Sequence, residues 1–135
     1  MTRRYDMVEH TADLSFQLFG STLAELFICA AEAMFSQLSN EPVIDRTTTL
    51  SVAVEGQDLE SLLVNWLNEL LYLHETRREV YGHFQILALS PHQLKARVAA
   101  QPQHSAPMMI KAATYHGLAI TESASGYEAT VVFDV

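Results

Sequence analysis

ADLSFQLFGSTLAELFICAAEAMF, residues 12–35, carries two different periods in one span. From Ala12 to Phe19 the residues alternate. Leu14, Phe16 and Leu18 fall on one face and Asp13, Ser15 and Gln17 on the other, the signature of a half-buried strand. Gly20 ends that run. Thr22, followed three residues later by Glu25, has the capping-box pattern, in which side chain and backbone satisfy two orphan helix donors reciprocally. Leu23, Leu26, Phe27, Ala30, Met34 and Leu38 then recur at helical spacing. A strand turning directly into an amphipathic helix sets the expected architecture: sheet below, helix above.

The rest of the chain repeats these elements. Asn40, Pro42 and Asp45 mark a loop, and TTTLSVAVEG, rich in β-branched residues, reads as a strand ending at Gly56. Asp58 is placed to cap a second helix whose stripe comprises Leu59, Leu62, Leu63, Trp66, Leu67, Leu70 and Leu73. EVYGHFQILAL and QLKARVAA read as a strand pair around Ser90, Pro91 and His92. After the loop QPQHSAP come two more strand-like stretches, MMIKAATYHGLAIT and YEATVVFDV. They flank ESASG, a hairpin turn in which Gly126 is available for a positive φ. The order is β, β, α, β, α and then four strands. This predicts one α+β domain over residues 1–135, a two-layer sandwich with two amphipathic helices packed on a largely antiparallel β-sheet.

Composition narrows the function. The 135 residues are 49% hydrophobic and 18% charged, a globular balance. Sixteen acids against eight Lys and Arg give a formal charge of -8, so strong direct nucleic-acid binding is not expected and a protein or small-ligand partner fits better. Cys29 is the single cysteine, which points to a reducing compartment. MTRRYDM has no apolar stretch behind its basic pair, and Glu25 and Glu32 interrupt the most apolar helix. The expectation is a soluble cytoplasmic protein without a membrane span.

No phosphate loop, nucleophile elbow, cysteine pair or zinc helix is present. The six histidines, His10, His74, His83, His92, His104 and His116, lack helical ligand spacing and read as solvated or satisfied within the fold. The acids are more suggestive. Asp13 sits where a loop becomes a strand, and Asp134 lies beside the last residue, on the face opposite Phe133 and Val135. Each alone reads as an exposed carboxylate. If the last strand lies near the first long one, Asp13, Asp134 and the Val135 terminal carboxylate converge, and only a cation would hold three carboxylates together. A hard divalent ion takes oxygen ligands of this kind. Glu69 borders the second helix's stripe. Lys111 interrupts an apolar strand, where a snorkelling side chain is the plain reading, and His116 beside Gly117 marks a bulge that could re-aim its ring.

Four segments in order, the HTAD stretch, LLVNWLNELLYL, KAATYH and the closing FDV, resemble the archease family, and the similarity covers nearly the whole chain. The resemblance implies an α+β sandwich. It also implies an accessory protein, not an enzyme, whose partner is the tRNA-splicing RNA ligase, and which promotes the ligase's guanylylation and multiple turnover in tRNA processing. By the same resemblance the cofactor is Ca²⁺, held by Asp13, Asp134 and the carboxylate end of Val135. His10, Glu69, Lys111 and His116 fall in characteristic family segments and become candidates for ligase contact or activation. One departure stands out: Ala100 and Gln101 occupy the place of a usual Gly-Glu pair, although His104 remains in the loop that follows. A stand-alone metal-dependent phosphoester hydrolase and a chaperone-like adaptor are the rival readings.

Overall fold

The computed structural model describes residues 4–9, 13–105 and 108–135. In chain order the elements are β1 (Arg4–Glu9), β2 (Asp13–Gly20), α1 (Leu23–Leu38), β3 (Thr49–Glu55), α2 (Leu59–Arg77), β4 (Glu79–Leu89), β5 (Gln93–Pro102), β6 (Ala112–Thr114), β7 (Thr121–Ser123) and β8 (Gly126–Asp134). The α+β class stands: two helices pack against antiparallel sheets. The strand layer is divided, however. Five strands form one sheet in the order β1-β2-β8-β6, with β7 also on β8, and three form another in the order β3-β5-β4. Alternation sorts residues by face but carries nothing about which strand pairs with which.

α1 and α2 join the two sheets. α1 packs on β2 and β8 of the larger sheet and β4 of the smaller, while α2 packs on β3, β4 and β5 of the smaller sheet and β6 of the larger. Their apolar stripes supply the centre of the core, with Leu26, Phe27, Met34, Leu62, Trp66, Leu67 and Leu70 fully buried. Phe16, Leu18, Val131 and Phe133 meet them from the larger sheet, Val52, Leu94 and Val98 from the smaller. The Trp66 indole donates 3.0 Å to the Phe27 carbonyl, so the largest core side chain also satisfies its polar atom.

Both helix starts follow the sequence expectation, one with a twist. The Thr22 hydroxyl accepts from the Glu25 N–H, but the Glu25 carboxylate bonds the Ser21 N–H and hydroxyl at 3.0 and 2.6 Å, one residue ahead of the cap. α2 has the full reciprocal box: Asp58 accepts from the Ser61 N–H at 2.7 Å, and Ser61 Oγ accepts from the Asp58 N–H at 3.0 Å. Gly126 takes φ +132, as the hairpin requires, and a Cβ there would come within 2.4 Å of the Gly20 carbonyl oxygen.

The expected long strand over residues 108–121 is broken in two. A turn at 115–118 interrupts it, closed by the Leu118 N–H to Tyr115 carbonyl bond of 3.0 Å, with Gly117 at φ +63. His116 therefore lies in a turn between β6 and β7, not at a strand bulge. The structure explains how so short a β6 is held. One edge pairs with β8. On the other, the Asn68 side chain of α2 acts as the missing strand: Oδ1 accepts from the Ala113 N–H at 2.7 Å and Nδ2 donates to the Ala113 carbonyl at 3.2 Å. Further along, Glu60 of α2 accepts from the Ile120 N–H at 3.0 Å.

Candidate functional site

β2 and β8 run antiparallel along their full lengths, and their register is decisive. Leu14, Phe16 and Leu18 pair with Phe133, Val131 and Ala129 on the core face. The register that this apolar pairing fixes sets Asp13 directly opposite Asp134. Two carboxylates from opposite ends of the sequence thus stand side by side, Asp13 half-buried and Asp134 exposed. Ala112 of β6 flanks Asp134 on the other side, and the Lys111 N–H donates to the Asp134 carbonyl at 2.8 Å. Val135 follows immediately, 42% exposed.

Like charges directly opposed across a strand pair are destabilising. The local chemistry sharpens the point: Asp13 Oδ1 is buried and has no hydrogen-bond partner. A carboxylate oxygen withdrawn from water without a donor carries a cost of several kcal/mol unless an opposite charge or a proton meets it. A cation with oxygen preference fits both facts, accepting Asp13 and Asp134 as ligands. Among the described residues no group of three or more His, Cys, Asp or Glu side chains is placed to hold a metal. Such an ion would therefore need further oxygens from the backbone, from water or from a free carboxylate at Val135.

The other candidates separate. Lys111 is exposed and enters the Asp13–Asp134 end of the sheet through its backbone. His116 is exposed in the 115–118 turn, with its N–H on Thr114 Oγ1 at 3.3 Å. Glu69 is half-buried on α2, next in sequence to the Asn68 that holds β6, and joins no metal-binding group among the described residues. His10 lies outside the described residues. Three other histidines serve the fold, as expected: ring nitrogens of His74, His83 and His92 lie against the carbonyls of Glu79, Val43 and Gly56 at 2.6, 2.6 and 3.2 Å.

Gln101, at the departure from the family pattern, has a structural task. Its amide donates to the Pro42 carbonyl at 3.0 Å and accepts from the Ile44 N–H at 3.2 Å, fastening the α1–β3 loop to β5. A glutamate could accept but not donate there. Ala100 is buried in the same strand, and both belong to the smaller sheet, not the one carrying Asp13 and Asp134.

The sequence profile of the archease protein family matches residues 5–135. The chain belongs to the archease family. It is 36% identical to the protein archease of Methanosarcina mazei over 141 aligned positions, covering 98% of this chain and 97% of that one. With the archease of Pyrococcus furiosus it shares 34% identity, covering 92% of each. Solved structures agree. The solution structure of a Methanobacterium thermoautotrophicum protein superposes with a TM-score of 0.77 at 26% identity, covering 97% of this archease and 98% of that chain. The crystal structure of a Thermotoga maritima archease, described as a possible chaperone, gives 0.67 at 20% identity and supports the fold, covering 95% and 94%.

Sequence reasoning passed over three residues that shape this region. Alternation puts Ser15 on the outward face of β2, yet it is fully buried. Asn68 and Glu60 sit inside a helix pattern dominated by leucine, and only the tertiary structure reveals that they bond the backbone around β6 and β7. No helix among the described residues is long and apolar enough to cross a membrane.

Proposed function

We propose that this archease is an accessory protein that activates the tRNA-splicing RNA ligase, promoting its guanylylation and multiple turnover. In this reading it binds Ca²⁺ through Asp13, Asp134 and the carboxylate of Val135. The observation that carries it is the Asp13–Asp134 register pair with the unpartnered Asp13 oxygen beside it. The ligase as partner is what the resemblance to archeases implies.

The acidic strand end is exposed on the Asp134 side, so a partner can reach it. Lys111 and His116, both exposed on the segment that borders Asp134, would contact the ligase there. When bound, the cation would supply a fixed positive charge, and Asp13 and Asp134 beside it would engage the metal- and GTP-binding cleft of the ligase. Stabilising the guanylylation-competent form of that cleft is enough for activation, since a binding partner shifts a conformational equilibrium by its differential affinity. No bond-making step in this archease is required.

The deciding measurement is GMP loading of a purified cognate ligase with and without this protein. Stimulation is expected, and Asp13→Ala or Asp134→Ala should reduce it by about tenfold or more, the scale of lost metal-site contacts. An unstimulated ligase overturns the proposal. The description of the Thermotoga maritima relative as a possible chaperone carries a second reading, a chaperone-like adaptor. Suppressed aggregation of unrelated client proteins, without any change in ligase turnover, would select it.

A further inference from the structure

The face of β2 that carries Asp13 holds a second orphan. Ser15 is 0% exposed, and its hydroxyl, like Asp13 Oδ1, has no hydrogen-bond partner. These are the buried side-chain polar atoms without a partner among the described residues, and they belong to alternate residues of one strand. Their coincidence is informative because a buried unpaired hydroxyl is destabilising, and cores contain few of them.

The described side chains on the β8 side of Ser15 offer it nothing. Its register partner on β8 is Val132, an apolar side chain. Beyond Val132 in the same row stands Thr114 of β6, whose hydroxyl is already committed to the Val132 carbonyl at 2.9 Å. Successive residues on one face of a strand are about 7 Å apart along the chain, and neither orphan bonds the other. An anionic oxygen and a hydroxyl at that separation are within reach of one bridging particle, a water or an ion with its water.

We infer that Ser15 is an outer member of the cation site, its hydroxyl accepting a hydrogen bond from a water on the ion held by Asp13 and Asp134. Ca²⁺ takes six to eight oxygens, more than Asp13 and Asp134 provide, and water is one source of the remainder. A water fixed to both the ion and Ser15 satisfies the hydroxyl and orients the shell, the role that outer partners play in metal sites generally. The inference rests on the proposed cation site and adds a residue to it.

The test is Ca²⁺ titration calorimetry on the untagged wild type, Ser15→Ala and Asp13→Ala, with thermal unfolding of each in chelator and in Ca²⁺. Ser15→Ala is expected to weaken Ca²⁺ binding by about tenfold, yet in chelator to melt at or above the wild-type temperature, because it removes an unpartnered buried hydroxyl. A purely structural serine behaves differently: the variant would then melt lower in chelator and bind Ca²⁺ unchanged. Either result overturns the inference. A wild type that binds Ca²⁺ while Ser15→Ala binds it equally leaves the carboxylate site standing and removes Ser15 alone. If the wild type takes up no Ca²⁺, the site itself falls and Ser15 with it.

Discussion

Individual residues in this protein are explained by the backbone groups they satisfy. Asp58 is the clearest case. Its carboxylate accepts from the Ser61 N–H, and the Ser61 N–H and then its hydroxyl hold the Asp58 carboxyl below the ordinary value of 3.8. The sign of the consequence follows from linkage. A carboxyl whose folded-state pKa is depressed contributes stability that is present above its unfolded value and is lost as pH falls through the folded one. Asp58→Ala should therefore lower the melting temperature at pH 7. The difference from wild type should shrink as pH drops below 3.8 and the carboxylate is protonated. Thermal melts of the two proteins between pH 2 and 7 check this, and a gap that stays constant across the range would contradict it.

Among elements, β6 shows how little of a strand's own sequence is needed when a helix supplies its second edge. Three residues pair with β8, and Asn68 of α2 closes both backbone groups of Ala113 on the opposite side. Asn68→Ala should orphan that N–H and carbonyl beside a side chain only 4% exposed, for a loss of about 2–4 kcal/mol. Chemical denaturation measures it. Loss below 0.5 kcal/mol would mean that water takes over both bonds at once, against the usual ~1–3 kcal/mol cost of one unpaired buried group. The element boundaries explain what could be read from the sequence and what could not. Strand β2, both helices, both N-caps and the Gly126 turn follow from local periodicity and capping chemistry, and these were legible. The break in the 108–121 stretch was not, because Asn68 and Glu60 impose it from a distant helix. Nor was the division into two sheets, since pairing partners leave no trace in alternation. The acidic pair was half legible: its residues could be named, but their opposition depends on a β2–β8 register set by apolar side chains on the other face.

For the molecule as a whole, Asp13 and Asp134 join the first long strand to the last. A cation between them would act as a clasp on β2 and β8, the central pair of the larger sheet. The folded protein carries a net charge of -8, and the two opposed carboxylates concentrate part of that repulsion at one end of the β2–β8 pair. A ligand that binds only the folded state adds about 2.7 kcal/mol when present at a hundred times its dissociation constant. In a domain of this size that is a rise of roughly 8 °C in melting temperature. Ca²⁺ should produce it in the wild type, and chelation should reverse it. Asp13→Asn makes the sharper case because two effects of opposite sign act on one residue. Removing the charge relieves the repulsion with Asp134, so in chelator the variant should melt above the wild type. The same change removes an anionic ligand, so added Ca²⁺ should move its melting temperature by less than about 2 °C, a quarter of the full linkage effect. The order of the two proteins therefore inverts between chelator and Ca²⁺. A variant that melts below the wild type in both conditions would show that Asp13 stabilises the fold through the strand itself, with no cation between β2 and β8.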